Sequence, residues 1–530
     1  MADNQQQVAR EEGRVVRAAG VVGCATLISR IFGYLRDAVV AALFGAGLAT
    51  DAFFVAFRIP NLLRRLFAEG SLTISFIPVF TEYREKRSHE ESLILANVSF
   101  TLLAVILAAV SAAGMLLAGP IVRLIAPGFV DDPVKLDLTV FLTRFMFPYI
   151  FFVSLVALCM GILNSLRHFA VPALSTAVLN ISMIVCAFAF RRCFSEPIVA
   201  LAVGVMAGGL LQLLMQFPVL MRMGVPLKPN FQFNHPGIRQ IGCLMVPALF
   251  GAAVYQLNIF VGTLLASFLR EGSVSYLYYA DRLVELPLGI FGIAVGTASL
   301  PSLSEQAARG DVEGLKRTVD FSLRLILFVT APAMVALIIL GEPIISVLFQ
   351  RGEFNFTATT LTNRALLCYT LGLWAFSGIR VVIAAFYAVQ DTKTPAKVAA
   401  LAVATNIAAS LIFMFPLGHG GLALATSIAS AVNFLMLIHL LRRKIGPLFA
   451  PDFMISLGKI VLSSTVLAVF LFAVLALMHW DPTAAFQRRA LILAAAVAGG
   501  LISYLLAALA FGSAEALMLL RGLRRSLRRR

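Results

Sequence analysis

Three apolar segments carry charged side chains where a bilayer-spanning helix would not normally tolerate them. SRIFGYLRD holds Arg30, Arg36 and Asp37; DAFFVAFRIPNLLRRLFAEG holds Asp51, Arg58, Arg64, Arg65 and Glu69; YYADRLVELP holds Asp281, Arg282 and Glu285. A charge at the centre of a membrane costs about 2.5–3.5 kcal/mol on insertion scales, so such groups turn towards a wet interior. Summed on lipid-facing helices they would oppose insertion, and they are expected to line a shared cavity. Arginines outnumber carboxylates in the first two segments. A guanidinium offers a planar fork of donors that fits phosphate and keeps its charge at any relevant pH. The chemistry implied is binding of an anionic, phosphorylated substrate. The alternative is internal pairing: Arg65 and Glu69 are spaced i,i+4 and Arg282 and Glu285 i,i+3. Arg65 reads equally well as structural, and Asp37 as a gate or counter-ion to Arg36. Arg144, Arg324 and Arg380 stand alone near later segments, where snorkelling is the default expectation.

The elements that must position these groups are membrane helices. Of 530 residues 60% are hydrophobic and 13% charged, with a mean hydropathy of +0.91. Soluble domains sit nearer half apolar and a quarter charged. The stretches 198–220 and 490–512 have no charged residue, and each approaches the ~20 residues a helix needs to cross a bilayer. The short alternating segments of a membrane β-barrel are absent. The net charge of +16 reads as cytoplasmic loops facing anionic lipid rather than as a nucleic-acid surface. The six cysteines are scattered without a C-x-x-C pair, so no metal and no disulfide framework is expected. Residues 1–17 are too polar for a cleaved signal peptide.

Apolar windows give 14 expected spans, at about 18–44, 51–80, 92–118, 138–163, 169–190, 197–221, 238–268, 273–303, 316–341, 358–388, 395–416, 420–441, 455–478 and 490–512. The inside segments include Arg84, Lys86 and Arg87, then Arg309, Lys316 and Arg317, then Arg442, Arg443 and Lys444, then the tail RGLRRSLRRR. Basic residues exceed those of the outside loops roughly threefold, which places both termini in the cytoplasm.

An internal repeat organises these spans. Pro78, Glu82 and Pro172 recur as Pro301, Glu305 and Pro395, each 223 residues on; Gly128 and Arg58 recur as Gly352 and Arg282 at 224. A unit of that length holds six spans, an even number, so both copies insert in the same orientation. The fold class is therefore an all-α polytopic membrane protein with two parallel six-helix lobes plus two C-terminal helices. The divisions are a cytoplasmic segment 1–17, a lobe 18–222, a linker 223–237, a lobe 238–445, two extra helices within 446–512 and a basic tail 513–530. Facing six-helix lobes are an alternating-access architecture, with the substrate expected between them. No P-loop, H-E-x-x-H or paired Asp-rich motif is present, so no catalytic residue, metal or cofactor is expected.

The string SRIFGYLRDAVVAALFGAGLATDAFFVAFRIPNLLRRLFAEGSLTISFIPVFTEY resembles the N-terminus of the MurJ/MviN family. These are lipid II flippases of the multidrug/oligosaccharidyl-lipid/polysaccharide exporter superfamily. APGF (126–129), FPYI (147–150), VSYLYYADRLVELPLGIFGIAVGTASLPSLS (274–304) and QDTKTP (390–395) follow in the family's order. The resemblance covers nearly the whole chain and weakens over the last two spans and the tail. It implies a cationic central cavity and two extra helices forming a groove for the undecaprenyl tail. By motif, the family's important arginines fall on Arg30, Arg36, Arg64 and Arg282, and its acidic positions on Asp37, Asp51, Glu69 and Glu285. Arg58 and Asp281 join these sets from the charge argument. The implied partners are lipid II, membrane lipids and the cell-wall synthesis machinery, at the bacterial inner membrane. A flippase for another polyprenyl-linked sugar, a multidrug exporter, a membrane-embedded polyprenyl-phosphate enzyme and a division-site scaffold are the rival readings.

Overall fold

The computed structural model describes residues 2–65, 72–449 and 451–528. Helices run in order α1 Ala2–Phe44, α2 Leu48–Arg64, α3 Thr73–Lys86, α4 His89–Leu116, α5 Ala118–Ile125, α6 Pro133–Met146, α7 Tyr149–Ser165, α8 Ala170–Phe190 and α9 Val199–Arg222. They continue with α10 Pro236–Ser267, α11 Ser273–Pro287, α12 Ile293–Ala308, α13 Val312–Leu348, α14 Phe356–Thr370, α15 Leu373–Ala388, α16 Lys393–Leu417 and α17 His419–Ile445. Beyond these lie α18 Pro451–Leu477, α19 Phe486–Ala510 and α20 Ala514–Arg528. No strand occurs among the described residues.

The duplication read from a few prolines and glycines extends to the backbone. The pairs α6/α14, α7/α15 and α8/α16 begin 223 or 224 residues apart, and α13 spans the equivalents of α4 and α5. The turn after α7 and the turn after α15 share their closing hydrogen bonds. His168 N–H donates to the Leu163 carbonyl (2.8 Å) and Asp391 N–H to Phe386 (2.9 Å), each closing a helix end at the same repeat position. Both turns put a non-glycine residue in the left-handed region, Arg167 at φ 60 and Gln390 at φ 58. That conformation satisfies the orphan carbonyls of the last helical turn.

Among the described residues, ten helices or helix pairs are long and apolar enough to cross a membrane: α4, α6–α7, α8, α9, α13, α14–α15, α16, α17, α18 and α19. These coincide with ten of the spans expected from sequence. The other four expected spans fall on α1, α2–α3, α10 and α11–α12. Three of those four carry the charged segments.

Packing divides the chain into two compact units, Met1–Phe268 and Leu269–Arg530. In the first, α8 and α9 approach closely because Gly204 and Gly208 carry no side chain. A Cβ at Gly204 would lie 2.7 Å from the Met183 Cα, and one at Gly208 2.7 Å from Leu179. Ser182 Oγ donates to the Gly204 carbonyl (2.9 Å) and Gln212 to that of Ser175 (2.7 Å). Small residues and interhelical hydrogen bonds replace the hydrophobic driving force that lipid removes. α10 packs on α3, α4, α5 and the turn Pro127–Asp131 of this unit, whereas its repeat partner α1 packs on α8. Gly128 makes the α10 contact possible: a Cβ there would meet the Ser267 carbonyl at 2.4 Å.

In the second unit α18 and α19 pack on α13 around Phe328, Leu340, Ile460, Leu467, Leu471 and Tyr504. Tyr504 Oη donates to the Phe328 carbonyl at 2.6 Å. The two extra helices are thus joined to one long helix of the repeat.

Candidate functional site

In the first unit, Arg36 and Asp37 of α1 are both buried, at 8% and 2% exposure. Burying a guanidinium is tolerable only when its donors are met. Its Nε and one Nη donate to Asp37 Oδ1 at 3.0 and 2.6 Å, and the other Nη donates to Asn180 Oδ1 at 3.0 Å. Asn180, on α8, donates in turn to the Ser29 carbonyl of α1 at 3.4 Å. The network ties α1 to α8 and fixes the direction of the Arg36 fork.

Asp51, in the first turn of α2, is 1% exposed and binds Lys135 Nζ at 2.9 Å. The Lys135 ammonium also lies 4.2 Å from the centre of the Phe129 ring. Lys135 sits in the first turn of α6, whose start is capped by Asp132, accepting from Lys135 N–H at 3.1 Å. Neither Lys135 nor Asn180 emerges from sequence reasoning. The available signal is a polar residue within an apolar run for Asn180, and for Lys135 the helix-start signature Asp132-Pro133.

Arg30, Arg58, Arg64 and Arg65, the other arginines of the charged segments in this unit, are half-buried. Arg58 donates to Thr263 Oγ1 of α10. Arg64 donates through Nε to Asn61 Oδ1, one turn back, at 2.9 Å. Arg30 is half-buried on α1. Glu69 lies outside the described residues. In the second unit Arg282 of α11 meets Glu285 at 2.9 Å, with side chains 34% and 47% exposed. The Tyr278 hydroxyl accepts from Arg282 at 3.1 Å, and the guanidinium lies 5.0 Å from that ring's centre. Asp281 is exposed. No group of three or more His, Cys, Asp or Glu able to hold a metal occurs among the described residues.

A family model described as lipid II flippase MurJ matches residues 40–491. The chain belongs to the lipid II flippase MurJ family. A probable lipid II flippase MurJ of Vibrio cholerae is 41% identical over 432 residues, covering 80% of this chain and 82% of that one. Among solved structures, a lipid II flippase MurJ in an inward closed conformation superposes with a TM-score of 0.77 at 29% identity. That match covers 92% of this chain and 98% of the other. An inward-facing multidrug MATE transporter of the MOP superfamily reaches 0.65 at 16% identity, covering 81% of this chain and 98% of that one. The last likeness concerns the fold alone. Asp51, Arg58, Arg64, Asp281, Arg282 and Glu285 lie inside the range matched by the MurJ family model; Arg30, Arg36 and Asp37 precede it.

One expectation for this MurJ family member is overturned. Arg324 does not snorkel: it binds Asp320 at 2.9 Å and lies 3.9 Å from Glu515, with side chains 21%, 6% and 3% exposed. Asp320 stands four residues before Arg324 and was available as an i,i+4 partner in the sequence, whereas Glu515 is distant in the chain. Arg144 and Arg380 are exposed.

Proposed function

We propose that this multi-pass membrane transporter carries lipid II, the undecaprenyl-pyrophosphate-linked peptidoglycan precursor, from the cytoplasmic to the periplasmic leaflet of the bacterial inner membrane. The observation that carries the cargo is family membership across residues 40–491. The chemistry of the charged helices supports it. Half-exposed ion pairs are weak, about 0–1 kcal/mol, and phosphate oxygens offer an arginine stronger charge-assisted bonds. The Arg282–Glu285 pair is of that exchangeable kind, so Glu285 holds the guanidinium until a pyrophosphate displaces it. Arg30, Arg58 and Arg64 serve with it as headgroup ligands. Asp37, Glu69 and Asp281 act as counter-charges and gating partners. Arg36 presents its fork from the Asp37–Asn180 network. The buried Asp51–Lys135 pair is of the opposite kind and holds α2 on α6 throughout the cycle.

In this reading the chain crosses the membrane 14 times with both termini cytoplasmic. The lobes 18–222 and 238–445 alternate access, while α18 and α19 guide the lipid tail. The cell-wall synthesis machinery is the expected physical neighbour. Complementation tests it: cells depleted of their own flippase receive wild type or Arg30→Ala, Arg64→Ala or Arg282→Ala at matched membrane levels, and lipid II on the outer leaflet is followed. Rescue by wild type and loss in the variants is expected. Wild type that reaches the membrane without rescuing would point to another lipid-linked glycan. Full rescue by all three variants would remove the arginine site.

A further inference from the structure

The last helix, α20, follows α19 through a tight turn at Gly512, whose φ is +66. Its first turn is keyed into the second unit. Glu515 is 3% exposed and accepts from Ser456 Oγ of α18 and from Ser513 Oγ, both at 2.8 Å, with Arg324 of α13 beyond. Ala516 is buried in the α13–α18–α19 core. Lys459 Nζ donates to the Gly512 carbonyl at 2.8 Å and closes the turn from the α18 side.

Past that turn the helix leaves the core. Leu517, Met518, Leu519 and Leu520 are 42%, 48%, 40% and 39% exposed. The sequence continues with Arg521, Arg524, Arg525, Arg528, Arg529 and Arg530 and has no acidic residue after Glu515. Arg521, Arg524, Arg525 and Arg528 are spaced i, i+3, i+4, i+7, and Leu520, Leu523 and Leu527 at i, i+3, i+7. Such spacings set a basic stripe beside an apolar one on a single helix. The helix also starts directly after α19, which is long and apolar enough to span a membrane, so it begins at a bilayer surface. Lys316 and the α17 residues Arg442, Arg443 and Lys444 belong to the same basic end of this unit: Lys316 Nζ lies within 3.2 Å of a Cβ placed on Gly446.

We propose that α20 is an arm that lies in the bilayer interface and binds anionic phospholipid headgroups. Its leucines enter the acyl boundary and its arginines engage phosphate, the combination that holds basic amphipathic helices at membranes. Charge complementarity selects the occupant: a neutral interface would leave the arginine stripe without counter-charge. Glu515 fastens the arm to α13 and α18. The inference needs only that the protein resides in a membrane and is independent of its cargo.

The test uses the full chain in nanodiscs of phosphatidylcholine alone or of equal parts phosphatidylcholine and phosphatidylglycerol, with amide hydrogen exchange followed by mass spectrometry. Exchange across 517–528 is expected to slow by at least about tenfold in phosphatidylglycerol, and high salt is expected to reverse it. A variant with Arg521, Arg524, Arg525 and Arg528 replaced by Gln should show no such difference, while its α13 and α18 peptides exchange as in wild type. Equal wild-type exchange in both lipids overturns the proposal, whether or not the variant can be prepared. Slow exchange in both lipids also overturns it, because protein contacts or the apolar face alone would then cover the arm.

Discussion

Among the described residues, Asp51 and Lys135 form the charged pair most fully withdrawn from water, with side chains 1% and 7% exposed. Removing one partner of such a pair leaves a bare buried charge and costs about 3–5 kcal/mol, whereas removing both can be nearly neutral. Lys135→Met is therefore expected to lower the apparent melting temperature in detergent, and Asp51→Asn combined with Lys135→Met to recover much of it. If the double variant is no better than the single, the pair is not what holds α2 on α6. Arg36 carries a different expectation. Its fork spans two acceptors, and lysine offers a single ammonium, so Arg36→Lys should loosen α1 from α8 despite keeping the charge. Spin-label distances between the two helices would report it. Charged residues in apolar runs were legible as a set, since type and span position suffice to find them. Their partners were not, because Asn180 lies 144 residues from Arg36 and Lys135 lies 84 from Asp51.

Two helix junctions show why particular motif residues stand where they do. In APGF, Gly128 lets the Pro127–Asp131 turn touch the end of α10, and its N–H donates to Ser267 Oγ at 3.0 Å. Gly128→Ala forces backbone apart, a distortion of about 1–3 kcal/mol. Faster exchange at the end of α10 is expected; unchanged exchange would show that the turn accommodates the methyl. In QDTKTP, Asp391 accepts from Thr394 N–H (3.0 Å), Thr394 Oγ1 (2.8 Å) and Lys444 Nζ (2.8 Å), joining the start of α16 to the end of α17. The Lys444 hydrogen bond, then those from Thr394, hold its carboxyl well below the usual range. A depressed carboxylate pKa adds stability that is full above the unfolded value of about 3.9 and is lost as pH falls through the folded one. The melting difference between wild type and Asp391→Asn should thus be constant from neutral pH to mild acid and shrink below about pH 3.9. A difference that grows on acidification would reverse the sign of the argument. Glycine and aspartate at these junctions were visible in sequence as motif letters. The contact each one serves appears only once the helices are packed.

Across the whole molecule the 223-residue repeat is the organising feature, and it predicts topology. If the proposed six spans per repeat and 14 per chain hold, the termini and the linker lie on one side. Fluorescent-protein fusions after residue 230 and after residue 530 should both fold and fluoresce in the cytoplasm. Alkaline phosphatase inserted in the 478–485 loop should be active in the periplasm. A fluorescent fusion at 530 that stays dark while the one at 230 shines would require an odd number of spans among the last helices. The repeat is a matter of chain order, whereas packing groups α10 with the helices before it. Duplicated sequences preserve turn chemistry, as Arg167 and Gln390 do, yet the same helix position can find different neighbours in each copy.

Composition, charge placement and the repeat determine that the chain is an all-helical membrane protein. Its motifs are specific enough to identify the family, because long apolar runs, arginine within them and fixed-offset prolines are properties of chain order alone. The tertiary structure decided which charged pairs are half-exposed and which are buried. Exposure separates Arg282–Glu285 from Asp51–Lys135, and exposure is set by neighbours far along the chain. It likewise brought Glu515, from another helix, to Arg324. A charge's cost depends on the atoms that surround it, and those arrive only when distant helices meet.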